Sequence, residues 1–221
     1  MEWQRELFRE KNFRDVYRVA RSFAGGRHDK WILFFLFFAL SAVNVAWWHL
    51  SKDADPSATV IAAVRLWAES GVSFATNILG FLLAGFAIFA SVTKADLFIA
   101  LANIQYKKSD ISRLKYVFFN FLIVFIHYLT FLSFCLVVQL FLAEESPLTR
   151  LLGIATGDRL VTRFIVAATA TGIIGTWFIA LILMLKVFIW NLYQSVLLAI
   201  TTEEEIRKLE EKKKQIEEDR Q

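Results

Sequence analysis

The sequence predicts an all-α, polytopic membrane protein with four transmembrane helices, an N-terminal amphipathic helix and a C-terminal cytoplasmic helical extension. Of the 221 residues, 57% are hydrophobic and 15% aromatic, more apolar material than a soluble domain of this length needs for its core. Four runs, 31–48, 72–92, 116–143 and 164–185, contain no Asp, Glu, Lys or Arg. Each reaches or approaches the ~20 residues that cross about 30 Å of hydrocarbon at ~1.5 Å per residue. Charge falls outside these runs, which divides the chain into a cytoplasmic amphipathic helix (1–26), a four-helix transmembrane domain (31–200) and a charged cytoplasmic tail (201–221).

Basic residues set the expected orientation. Eight Lys/Arg precede Trp31, five lie in the Thr93–Lys115 loop and seven follow from Lys186, against two in Ser51–Gly71 and three in Glu144–Arg163. The positive-inside rule puts both termini and the middle loop in the cytoplasm, as expected for a multi-pass membrane protein. The net charge of +4 follows from this distribution, and no direct nucleic-acid binding is expected. A signal peptide would place its apolar core near residue 10, whereas about thirty mixed-charge residues come first, so the first span is expected to be retained.

The N-terminal segment "MEWQRELFREKNFRDVYRVARSFAGG" repeats apolar residues at helical spacing between Arg and Glu, and Gly25-Gly26 form a plausible stop. Such a helix can lie on anionic headgroups or hold a partner. After the first span, Asp55 reads as an N-cap and Pro56 as the first helical residue of a short helix on the outer surface. Gly71 is expected to break that helix from the second span. Trp47, Trp48 and Trp67 suit an outer aromatic belt, with Trp31 and Trp190 near the inner interface.

Along the second span Ser73, Asn77, Gly80, Ala84, Ala87 and Ser91 form one small-residue stripe. In lipid such residues let helix backbones approach, which favours helix packing; a pore wall can use the same side chains. The fourth span has a second small surface, Ala168, Gly172, Gly175 and Thr176. Two such faces permit one contact within the chain and one between chains, so a homo-oligomer is expected. The third span carries Asn120, His127 and Thr130 on one face, a candidate intramembrane polar site; a neutral, hydrogen-bonded histidine is the competing reading. Cys135, the single cysteine, excludes an internal disulfide.

Past Lys186 the chain has no Gly or Pro, so one helix is expected from Phe164 to near Gln221, about 85 Å. Its last part sets Ile206, Leu209 and Ile216 on a heptad seam that Lys213 interrupts. With Trp3, Leu7 and Phe8 of the N-terminal helix, these are the candidate partner-binding side chains.

Catalysis is not expected. The three histidines lie at different depths, which excludes a metal site within one chain, and no HExxH, CxxC, GxSxG or phosphate loop occurs. No catalytic residue, metal or cofactor is assigned. Two functional classes remain: an oligomeric scaffold or sensor that couples an envelope disturbance to a soluble cytoplasmic partner, and an ion channel or membrane-permeabilising effector. The layout, with "WILFFLFFALSAVNVAWW" as first span and "EEEIRKLEEKKKQIEE" as tail, resembles the four-span membrane subunit of the Kiwa antiphage defence system. That resemblance implies an inner-membrane oligomer that senses phage attack and works with a cytoplasmic partner; it carries no functional residue over.

Overall fold

The computed structural model describes residues 9–10, 12–23, 27–51, 56–92, 95–106, 111–142, 154 and 159–219. Among them the named elements are all helices: α1 (Phe13–Phe23), α2 (Arg27–Leu50), α3 (Pro56–Val92), α4 (Ala95–Asn103), α5 (Arg113–Leu142) and α6 (Arg159–Glu218). The chain is all-α, and α2, α3, α5 and α6 are long and apolar enough to cross a membrane. This is the build of a multi-pass membrane protein. Consistent with lipid contact, α2 turns the large apolar side chains Trp31, Phe35, Val43 and Leu50 outward.

Local chemistry explains the boundaries. Pro56 opens α3 where its missing N–H costs nothing. Ser112 caps α5: its Oγ accepts from the Lys115 N–H at 3.4 Å, and its carbonyl accepts from the Tyr116 N–H at 3.0 Å. α6 runs 60 residues, about 90 Å, because nothing after Gly175 breaks it. Asp55 and the Gly25-Gly26 stop lie outside the described residues.

One boundary differs from the sequence expectation. α3 continues through Gly71 for 37 residues, with no break before the second span. A Cβ at Gly71 would sit 2.8 Å from Cys135 Sγ and 3.1 Å from two Phe131 ring carbons. The glycine therefore serves a close approach of α3 to α5 and does not end a helix. Residues 95–103, expected as loop, form α4.

The chain divides into two compact units, Gly25–Leu83 with Val124–Met184, and Met1–Ala24 with Ala84–Ile123 and Leu185–Gln221. In the first of these, α2 packs on α6 where Gly172 meets Phe37 and Ser41, and Gly175 meets Leu40. Phe74 stacks against Phe178 at 4.6 Å, and Trp177 lies between Phe131 and Phe134 at 5.7 and 5.6 Å. The fully buried Tyr128 donates its hydroxyl to the Leu181 carbonyl at 3.1 Å, tying α5 to α6. Ser41, Thr130, Ser133 and Thr171 each turn back onto the carbonyl four residues earlier, which satisfies hydroxyls that lipid cannot.

In the other unit Leu101, Ala102 and Leu114 form a small core with Phe98 and Phe118 against it. Phe86 stacks on Phe121 at 4.5 Å, and Phe121 meets Phe188 at 6.2 Å. Aromatic pairs of this geometry contribute roughly 0.5–1.5 kcal/mol each beyond their burial.

Candidate functional site

Among the described residues, polar contacts cluster between the end of α4 and the start of α5. Gln105 and Ser112 pair as an isolated antiparallel bridge, and the Tyr106 and Arg113 N–H groups donate to the Ile111 and Ile104 carbonyls at 3.0 and 2.7 Å. This bridge brings Tyr106 and Tyr116 into a parallel stack, ring centroids 3.7 Å apart and planes 10° apart. The Arg113 guanidinium carbon stands 5.5 Å from the Tyr106 centroid. Its Nε is buried without a hydrogen-bond partner, so the ring face supplies part of its compensation.

Two residues further, Lys115 points into the unit. Its Nζ lies 2.5 Å from Glu10 Oε2, with the side chains 3% and 10% exposed, and 5.4 Å from the Phe119 centroid. A buried ammonium with an excellent carboxylate contact is held in one geometry, since losing either partner strands a charge away from water. Glu10 precedes α1, whose Ala20 is also buried. The pair therefore fastens the segment that leads into α1 to the first turn of α5. It is a positioning device.

α1 turns Arg14, Arg18 and Arg21 outward, and Arg18 reaches Asp15 at 3.9 Å on the exposed side. At the other end of the chain, α6 carries exposed charge from Glu203 onward, with lengthwise pairs Glu204–Lys208 at 2.7 Å and Arg207–Glu211 at 3.7 Å. Leu209 and Ile216 are exposed on this stretch. Trp3, Leu7 and Phe8 lie outside the described residues, as does the Ile206 side chain.

Among the other sequence candidates, Gly172 and Gly175 are buried at the α2–α6 contact and Ala168 is half-buried. The half-buried Thr176 has a buried Oγ1 without a hydrogen-bond partner. The stripe on α3 is placed differently: Ser73, Asn77, Gly80, Ala84, Ala87 and Ser91 are all exposed. A Cβ at Gly80 would meet nothing within 4 Å. The face of α3 that packs inside the chain is instead Val64, Ala68, Gly71, Ala75, Leu79 and Leu82.

On α5, Asn120 and His127 are half-buried and Thr130 is exposed, its hydroxyl donating to the Ile126 carbonyl at 2.7 Å. Asn120 belongs to one compact unit and the other two residues to the other. Cys135 is a free, buried thiol. Among the described residues no group of three or more His, Cys, Asp or Glu could hold a metal ion. The Tyr106–Arg113–Tyr116 cluster and the Glu10–Lys115 pair were not singled out from sequence. The only signal was the aromatic-basic run "YKKSDISRLKY", which does not say which charges become buried. No family model, curated protein or solved structure matches the chain.

Proposed function

We propose that the chain is a non-catalytic scaffold and sensor of the bacterial inner membrane, an oligomer with both termini cytoplasmic that couples an envelope disturbance to a soluble partner. One observation carries the reading: a helix that begins among the apolar spans continues without a break into a charged, exposed arm. A continuous helix transmits rotation or axial displacement of its apolar part directly to its polar part, and such small helix shifts are a standard switching movement. The Glu10–Lys115 pair gives the N-terminal segment a similar mechanical link to α5.

The distribution of Lys and Arg supports cytoplasmic termini. The exposed small residues of α3 support contact between copies, because they would let a second helix approach closely. Phage attack as the disturbance rests on the layout resemblance to the Kiwa membrane subunit and on no individual residue.

The test is deletion of Thr202–Gln221 in cells that naturally express the protein. Membrane insertion is expected to survive and recovery of a soluble partner to be lost. Unchanged recovery, together with ion flux through reconstituted vesicles, would replace this reading with the channel.

A further inference from the structure

Counting by sevens along α6 gives a single line that is buried and then uncovered. Ala167, Ile174 and Leu181 are fully buried in one compact unit, and Phe188 and Ser195 are buried in the other. The next three steps in the same register are Thr202, half-buried, then Leu209 and Ile216, 60% and 54% exposed. A companion line begins at Phe164 and Thr171, both buried, passes Leu192 and reaches register positions 206 and 213. A straight helix drifts about 20° per heptad, so a seven-residue line stays on one face only where the helix winds against its neighbours, and burial at every seventh residue from Ala167 to Ser195 shows it doing so over that length. Among the described residues, Leu209 and Ile216 carry on, uncovered, the seven-residue register that is buried up to Ser195.

Charge decides what fits there. In the tail, Glu203, Glu205, Glu210, Glu217 and Asp219 flank the seam, with Lys212 the only base among those positions. Arg207 and Lys208 lie on the outer side, where lengthwise pairs engage them. Copies inserted in one membrane with one topology must present their tails in parallel. Parallel copies would oppose Glu205 to Glu210 but Lys212 to Glu217, one like and one unlike pair, so a second copy gains no net attraction from its flanks, whereas a basic helix meets acid at five of the six flanking positions. An anionic inner leaflet repels the same acidic flanks.

We propose that the tail between Thr202 and Ile216 docks an amphipathic helix of a soluble protein, with apolar residues at three- and four-residue spacing and Lys or Arg on both sides of them. The helix buries its apolar line on Leu209 and Ile216 and opposes its cations to the acidic flanks. Two heptads give a weak single contact, which several tails in one oligomer would strengthen through effective concentration. The inference rests on the scaffold reading above and specifies its partner's chemistry.

The experiment uses the full chain in lipid nanodiscs and two synthetic helical peptides of one Leu/Ile seam, one flanked by Lys and one by Glu. The Lys peptide is expected to bind at least about tenfold more tightly, with the advantage shrinking in about 0.5 M salt. The paired substitution Leu209→Ser with Ile216→Ser, on exposed positions that leave the fold intact, is expected to remove that binding. Equal binding of both peptides, or binding of neither, overturns the proposal. In a second arm, Ile216→Cys is expected to give little disulfide between copies under mild oxidation; efficient cross-linking overturns the proposal in favour of paired tails. If the peptides fail while a soluble partner is still recovered and lost on tail deletion, this chemistry is wrong and the scaffold reading stands.

Discussion

Replacing Glu10 with alanine should release the segment leading into α1. The pair it breaks holds Lys115 with only 3% of its side chain exposed, and removing one partner of a buried pair costs about 3–5 kcal/mol. The Phe119 ring, 5.4 Å from Nζ, offsets up to about 2 kcal/mol as a cation–π contact. A net loss of about 2 kcal/mol corresponds to roughly 30-fold in the local opening equilibrium. The assay is amide hydrogen exchange of α1 in nanodiscs, where protection of Asp15–Phe23 should fall by about that factor. Asp15→Asn is the control, because the Arg18 contact at 3.9 Å is exposed and such pairs contribute about 0–1 kcal/mol. Glu10→Leu combined with Lys115→Met should restore protection, since an apolar pair of similar volume replaces the ionic one. Unchanged exchange in Glu10→Ala would refute the fastening role.

Gly71→Leu should destabilise the purified protein by about 1–3 kcal/mol, because its first side-chain carbon already meets Cys135 Sγ and the Phe131 ring; Gly80→Leu, in open space, should leave monomer stability unchanged, and thermal melts in detergent compare the two. Tyr128→Phe removes the hydrogen bond to the Leu181 carbonyl and should cost about 1 kcal/mol, near the middle of the range for such bonds in membrane proteins, read from steric-trap or denaturant unfolding. Cys135, fully buried, should resist a membrane-permeant maleimide in the folded protein and react on unfolding; rapid labelling of the native protein would contradict its packing against Gly71.

The four spans were legible because lipid forces backbone groups into helices and demands about 20 mostly apolar residues per crossing, so hydropathy alone locates them. Pro56 as a helix start and the unbroken run after Gly175 were equally legible, since they depend on local chemistry. What failed to show was which neighbour each face meets. Gly71 looks like a punctuation mark until Cys135 and Phe131 are seen against it. The α3 stripe and the Gly172–Gly175 surface have similar composition, yet one is exposed and the other packs on Phe37 and Leu40, because small residues admit close contact without choosing a partner. Glu10 and Lys115 are 105 positions apart in sequence. A long-range ion pair has no periodicity to betray it. The heptad line on α6 was visible only in its last two turns, since the buried half reads as an ordinary apolar span until burial separates its faces.

The most direct measurement is intact-mass determination of complexes released from native membranes, on the full chain and on the chain lacking Thr202–Gln221. The expected result is a defined homo-oligomer carrying a soluble protein, and the same oligomer without it after the deletion. A monomer, or an oligomer whose soluble protein is retained when the tail is gone, would contradict it.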